Sequence, residues 1–334
     1  MNFRTYFLVA VLTLMLSVGG TILGLKFLQN KAFPSAQTSS SQEVPIDQKA
    51  FSDAPSEKKE PAGDSETDLS DYHPNEVVAS EERLEALLRK QIADFRPSQT
   101  YHIDSSILPS IKMEKIFEQA VVGLGANYTV TSWNYTFKKY SDHTILDANM
   151  QYHTTKSQDR SVNQFAKQWV EGNLRMSMSD ESKVKTIHDY IINNSRYDKG
   201  DADHNFNGCS VHSAYTLSKE KVGVCQAYAI LFQKLATEAG IPNQFVYGDF
   251  ESPFIESDDN VYHLWNMVRI DDQWYHIDLT ADDPVVENSP NTSILSYDHY
   301  LKSDAYMAQT HTWDMMLYPS APEDYPVYYE EVIK

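Results

Sequence analysis

Cysteine is scarce in this chain: Cys209 and Cys225 are the only two in 334 residues. Cys209 and His212 have the spacing of half a metal site. No second Cys-x2-Cys or His-x3-His pair accompanies them, which argues against structural zinc. The sequence also lacks a glycine-rich phosphate loop, EF-hand spacing among its acids, and any internal repeat. Positive charge is short as well. There are 28 Lys and Arg against 47 Asp and Glu, a net charge of −19. Such a balance argues against nucleic acid or an anionic membrane as the ligand of the folded part. What is present is 41% hydrophobic residues, ample for a packed core, in a length that suits about two domains.

The ends read differently from the middle. Thr5 to Leu25 carries no charged residue, and about 20 apolar residues span a bilayer. No good small-residue cleavage site follows it, so residues 1–31 read as an uncleaved membrane anchor, with a cleaved signal peptide as the alternative. Residues 32–80 hold Pro34, Pro45, Pro55, Pro61, Pro74 and alternating acids with no periodic apolar pattern. They bury too little to offset the ordering entropy and read as a disordered acidic linker. The expected arrangement is a single-pass protein of the cell membrane, tethered through its N-terminal segment only, with its bulk outside the cell.

Folded sequence is expected from Glu81. Residues 81–175 read as a small α/β region. Helical stripes run through Leu84, Leu87, Leu88, Gln91, Ile92 and Phe95 and through Met113, Ile116, Phe117, Ala120 and Val121. Strands are expected at Tyr128–Tyr140 and Thr144–His153. Residues 176–334 form the second domain, opening on a helix with Val184, Ile187, His188, Ile191 and Ile192 on one face.

In that domain Cys225 starts a helix. Tyr228, Ala229, Phe232, Leu235, Ala236 and Ala239 keep helical spacing, and Gly240-Ile241-Pro242 ends it. Gly223 suits a tight entry turn. Unsatisfied N–H groups and the dipole of a first turn favour a thiolate over a thiol. Downstream, Val261–Ile270 and Gln273–Thr280 flank Asp271-Asp272 as a β-hairpin with a two-residue turn. With Ile270 facing Gln273, Trp265 falls opposite Asp278 and His263 opposite Thr280. His263 and Asp278 then share a face as diagonal neighbours, while Leu264, Val268, Ile270, Ile277 and Leu279 form a core face. Thiol, imidazole and carboxylate in this order suggest nucleophile, base and orienter.

Gly223-Val224-Cys225-Gln226-Ala227-Tyr228-Ala229, His263-Leu264-Trp265 and Asp278-Leu279-Thr280 together resemble the transglutaminase-like superfamily, over roughly residues 180 to 320. The resemblance implies an α+β fold: a transglutaminase-like core of the papain-like cysteine protease type, with a helix-start Cys packed on an antiparallel sheet. It implies Cys225, His263 and Asp278 as the catalytic triad, and acyl transfer through a thioester on protein or peptide amides; the expected export of the domain adds cell-wall or surface proteins as the substrates within reach. An amine acceptor gives cross-linking; water gives deamidation or proteolysis. It requires no cofactor and no metal. The backbone N–H of Cys225 is the first oxyanion donor, with the second unassigned.

The chain departs from the family at Ala227, where Gly is common, and at Asp278-Leu279-Thr280-Ala281-Asp282-Asp283, where the family often has D-P-T-W-D. His311-Thr312-Trp313-Asp314 resembles a motif of bacterial members, and its Trp313 could replace the missing Trp of the cleft wall. Gln226, Tyr215, Trp265 and Trp313 are the substrate-cleft candidates. His276 shares the Asp278 face and competes as base, a weaker choice because it lies farther from the helix start. An oxidising compartment would permit a Cys209–Cys225 disulfide, an off state of the thiol. A papain-like peptidase is disfavoured by the short spacing from Cys225 to His263. A tethered scaffold with a vestigial triad is the other class.

Overall fold

The computed structural model describes residues 76–107, 112–123, 126–141, 143–199, 205–251, 261–284 and 295–326. The anchor and nearly all of the acidic linker lie outside them. Among the described residues no helix is long and apolar enough to cross a membrane. The chain divides into two compact units, one holding residues up to 120 with 131–151, the other holding 121–130 with 152 onwards.

The first unit is a four-stranded sheet carrying helices. Its strands β1 (Val77–Val78), β2 (Ser98–Asp104), β3 (Val130–Lys139, whose first residue belongs to the second unit) and β4 (His143–Tyr152) lie in the order β1-β2-β4-β3. Helix α1 (Glu81–Ala93) begins at Ser80, whose hydroxyl accepts from the Arg83 N–H. It buries Leu84, Leu87, Leu88, Gln91 and Ile92, the stripe its period prescribes, but the helix ends at Ala93, so Phe95 falls outside it, half-buried and at φ 55°. Gln91 donates to the Ala148 carbonyl and accepts from the Tyr101 hydroxyl, so the one polar member of the stripe is satisfied. Helix α2 (Met113–Val122) buries Met113, Ile116, Phe117, Ala120 and Val121.

The second unit packs helices on one face of a four-stranded antiparallel sheet. The helices are α3 (Lys156–Asn173), α4 (Asp180–Asn193), α5 (Ala214–Glu220), α6 (Cys225–Glu238) and the one-turn α7 (Asp304–Met307). Short strands β5 (Arg196–Tyr197) and β8 (Val222–Gly223) pair in parallel, and β6 (Asn205–Phe206) pairs with β7 (Cys209–Ser210). The main sheet runs β11-β10-β9-β12, with β9 Asn243–Phe250, β10 Val261–Ile270, β11 Gln273–Ile277 and β12 His311–Trp313.

Helix α6 is the centre of this unit. Its sequence suggested burial on one face, but Ile230 and Leu231 are buried along with Ala227, Tyr228, Ala229, Phe232, Leu235 and Ala236. It lies between the sheet, through Leu264, Val268 and Ile277, and the helices, through Ala166, Ile187 and Leu217. Its apolar arc is wider than one face, while Gln233 and Lys234 stay half-buried and Thr237 and Glu238 exposed, as suits a helix enclosed by a sheet and other helices. Gly240, at φ 77°, ends it as expected. The opposite face of the sheet buries Val246, Trp265 and Met267 against Met307 and Ala321.

The hairpin register is the one the turn arithmetic requires: Ile270 pairs with Gln273 and Asn266 with Ile277. Asp271 and Asp272 both have positive φ, 49° and 61°, as a two-residue hairpin turn demands. The strand then stops earlier than expected. The Asp278 N–H leaves the hairpin for the His299 carbonyl, and Thr280 lies in a turn, so the pairings Trp265–Asp278 and His263–Thr280 do not form.

Gly248 allows β12 to join this sheet. A Cβ there would sit 2.0 Å from the Thr312 carbonyl oxygen, a backbone atom that cannot swing aside. Gly248→Ala is therefore expected to lower the thermal midpoint and to push β12 off β9. Gly172→Ala, in helix α3 with nothing within 4 Å of its added carbon, is expected to stabilise by up to about 0.5–1 kcal/mol. Equal midpoints for the two variants would refute the close-approach reading.

Candidate active site

Three chain segments converge here, and the first is built to present a thiol. Gly223 lies level with Tyr197 in the β5–β8 pair, and the Val224 N–H donates to the Val211 carbonyl. A Cβ on Gly223 would meet that of Ala227 at 2.8 Å and the Val211 oxygen at 3.2 Å. Gly223 is thus fixed by close packing ahead of the helix. Five other helices begin with a Ser or Thr hydroxyl accepting a first-turn N–H, at Ser80, Thr155, Ser179, Ser213 and Ser303. Helix α6 begins at Val224 with no side-chain cap. The Val224 carbonyl accepts the Ala227 N–H, and the N–H groups of Cys225 and Gln226 have no side-chain cap at half-buried Cys225.

The second segment is β10. His263 is buried there with its ring near Phe250, Trp265 and His311. Its Nε2 donates to Asp278 Oδ2 at 2.6 Å. A carboxylate only accepts, so Nε2 carries the hydrogen and Nδ1 is the nitrogen left for the thiol proton. Burial alone would strip charge from the ring. The Asp278 carboxylate and then Cys225 outweigh it, and the ring's pKa is raised to about 10.

The third segment is the turn after β11. Asp278 Oδ1 accepts the N–H groups of Thr280 at 2.9 Å and Ala281 at 3.3 Å. Its Oδ2 takes His263 and, at 3.0 Å, Nε2 of His311. Burial opposes charge on this carboxylate, but the two imidazoles hold it well below the ordinary carboxylate range.

The structure brings Cys225, His263 and Asp278 together, keeps Trp265 and Trp313 behind the His263 ring, and engages Gln226 and Tyr215 with other partners. Trp265 is fully buried and donates from Nε1 to His276 Nδ1, so it supports the His263 ring from within. Half-buried Trp313 packs edge-on to Trp265 and His276. Gln226 is committed locally: its amide donates to the Tyr128 carbonyl, and its oxygen lies 3.0 Å from His212 Nδ1. Tyr215 lines a pocket with Tyr128, His153, His212 and Lys234, none of them a member of the triad. His276 is fully engaged, accepting from Trp265 and donating to Asp304 at 2.9 Å. Cys209 and Cys225 are both free thiols, and Cys209 Sγ accepts from Gln158.

Several neighbours escaped the sequence reading. His311 was visible only as part of a motif, with no role attached. Tyr197 lies among Cys225, Asp278 and Asp198; burial and those negative groups keep its phenol protonated. The Asp282-Asp283 pair is buried. Asp282 accepts from His188 Nε2 at 3.1 Å and from the His299 N–H at 2.8 Å, while Asp283 accepts from the Tyr228 hydroxyl at 2.7 Å. These acids tie the turn carrying Asp278 to helices α4 and α6. The donor atoms of His263, Asp278 and His311 lie within 4.8 Å of one another, close enough in principle for a transition-metal ion. The hydrogen bonds among them account for that closeness.

Residues 167–279 match the model of the transglutaminase-like superfamily, so the chain carries a domain of that superfamily. Three solved structures show a distant likeness. A candidate cysteine protease from Cytophaga hutchinsonii is 18% identical, with 46% of this chain and 56% of that one covered and a TM-score of 0.28. A TGase is 16% identical over 75% and 70% of the two chains, with a TM-score of 0.34. The periplasmic domain of TgpA from Pseudomonas aeruginosa is 12% identical over 42% and 54%, with a TM-score of 0.26. The chain thus spans little more than half the length of the first and third. Comparison with curated proteins gives no match.

Two outcomes follow from the charges. Iodoacetamide is expected to alkylate Cys225 much faster than Cys209 at neutral pH, and His263→Ala to remove the difference, as peptide-level mass spectrometry would read. Equal rates in the unaltered protein would count against an activated thiol. Stability should also track the pair. His263 rises from 6.5 to about 10 on folding, so its contribution is complete below pH 6.5 and lost as pH climbs through 10. Asp278 falls below 3.8, so its contribution is complete above that pH and lost in stronger acid. The urea-midpoint difference between the unaltered protein and His263→Ala should plateau between these limits and shrink toward pH 10. A difference independent of pH would exclude the ion pair.

Proposed function

We propose that the protein catalyses cysteine-dependent acyl transfer on protein or peptide amide groups at the cell surface. The observation that carries this is the 2.6 Å bond from His263 Nε2 to buried Asp278, beside Cys225 at an uncapped helix start. His263 Nδ1 takes the proton of Cys225, and the sulfur attacks the amide carbonyl. The carbonyl oxygen gains charge, which in this reading the Cys225 N–H and the protonated Tyr197 phenol stabilise. The C–N bond breaks, and the nitrogen leaves with the proton from His263 as ammonia or an amine. The remaining thioester is attacked by water or a primary amine, which gives its proton back to His263 as the thiolate departs. An anchor at residues 5–25 with an acidic tether would hold the domain among surface proteins.

The test is mass spectrometry of full-length protein incubated in detergent with a glutamine-containing peptide and a lysine-containing peptide. Ammonia release with isopeptide formation, deamidation or chain cleavage is expected, together with an acyl adduct on Cys225, and all are expected to vanish in Cys225→Ala. Tyr197→Phe should lower the rate by roughly tenfold to a hundredfold. Absence of any adduct or product across varied peptides would favour a scaffold with a vestigial site. Proteolysis of intact cells should release a soluble fragment beginning between residues 32 and 80; release only after permeabilisation would remove the surface assignment.

A further inference from the structure

Asp278 has more partners than a triad orienter requires. A carboxylate offers about four acceptor positions, and all are used: two by the turn N–H groups at Oδ1, two by the imidazoles at Oδ2. The turn already fixes the plane of the carboxylate, so the His311 bond is surplus for orientation. Its position is nevertheless specified with care. The ring is buried, and its Nδ1 lies 2.9 Å from the Thr310 hydroxyl, which donates to it and leaves Nε2 as the N–H that faces Asp278. Strand β12, which carries it, reaches β9 only because Gly248 has no side chain.

We propose that His311 is a positioning residue of the triad: by donating to the oxygen that also holds His263, it limits how strongly Asp278 retains the imidazolium proton and so keeps His263 a competent acid. The inference rests on the acyl-transfer reading and adds to it a group beyond the matched residues 167–279. The chemistry is a matter of sharing. A carboxylate bonded to one imidazole in a dry site places its full charge on that ring. The ring then holds its proton too firmly to deliver it to a departing nitrogen. A second, neutral N–H on the same oxygen withdraws part of that charge.

His311 is suited to the part because it does not itself become a second cation. Burial opposes its protonation, His263 and His299 add to that effect, and Asp278 works against it, leaving its pKa lowered. The other groups facing the pair are Cys225 at the helix start, Tyr197 on β5, Asp282 in the turn and His299 beyond it. The His299 ring lies 3.6 Å from Asp282 through Nδ1, and its residue meets Asp278 through the backbone, where the His299 carbonyl accepts the Asp278 N–H. His311 is therefore the group that divides the charge of Asp278 with His263.

The experiment is an NMR titration of the His263 ring in full-length protein labelled at histidine, in detergent. It compares the unaltered chain with His311→Leu, His311→Asn and His311→Gln. Leu removes the donor, Asn carries its amide at the Nδ1 position and falls short of Asp278, and Gln places an N–H where Nε2 stood. Leu and Asn are expected to raise the His263 transition by about one pH unit, and Gln to return it to within a few tenths of the original. Should Leu fail to fold, Asn carries the same expectation with polarity kept. An unchanged or lowered transition in Asn overturns the proposal, as does a Gln shift as large as the others. The titration needs no substrate. A protein that transfers no acyl group can still show the shift, and an active one can fail to show it.

Discussion

The fully buried carboxylate of Asp278 is the constraint on which this site depends. An ionised group removed from water costs several kcal/mol even after relaxation, and it persists only where hydrogen bonds replace the lost hydration. Here they come from three stretches of chain: the turn N–H groups of Thr280 and Ala281, the β10 imidazole of His263 and the β12 imidazole of His311. Each supplier then needs support of its own. The turn is tied back by Asp282 and Asp283, β12 needs the bare backbone of Gly248, and His263 rests near the Trp265 ring. Much of what surrounds the triad answers the demand of one charge.

Cys225, the proposed nucleophile, follows the opposite design. Helix α6 is the most buried helix of its unit, yet its first turn has no side-chain cap where five others have one. Its core residues fix the helix rigidly, and Gly223, packed closely against Ala227 of the first turn, fixes the entry to it. That rigidity holds unsatisfied N–H groups at a half-buried thiol. Uncapped donors beside saturated carboxylates are what the proposed acyl transfer would use for charge that appears during the reaction.

Much of this was legible from residues. The two-residue turn at Asp271-Asp272 determined the hairpin register, and the register put His263 and Asp278 on one face with the aliphatic set on the other. The apolar periods of α2 and α4 named their buried stripes correctly, and that of α1 did so as far as Ile92, since the chain leaves the helix before Phe95. Helix α6 was less well read, because a period reports one face while enclosure by other helices is a tertiary fact. The break after Ile277 was hidden for a related reason. Strand formers continue to Thr280, but the His299 carbonyl, distant in sequence, captures the Asp278 N–H. Gln226 and Tyr215 looked like cleft residues by nearness to Cys225 in sequence. Side-chain direction and the partners Tyr128 and His212 send Gln226 elsewhere.

His311 shows where reading by motif stops. The match to the superfamily spans residues 167–279, just past Asp278, and a thiol, a base and an orienter are complete within it. The fourth donor to the carboxylate arrives from a strand later in the sequence, inserted at the sheet edge beside β9. No local pattern marks a histidine as such a donor; only the closed geometry of β12 against Gly248 does. The domain is therefore better defined by where its buried charge is satisfied than by where its sequence signature ends. By that criterion β12 belongs to the site as fully as the helix that carries Cys225.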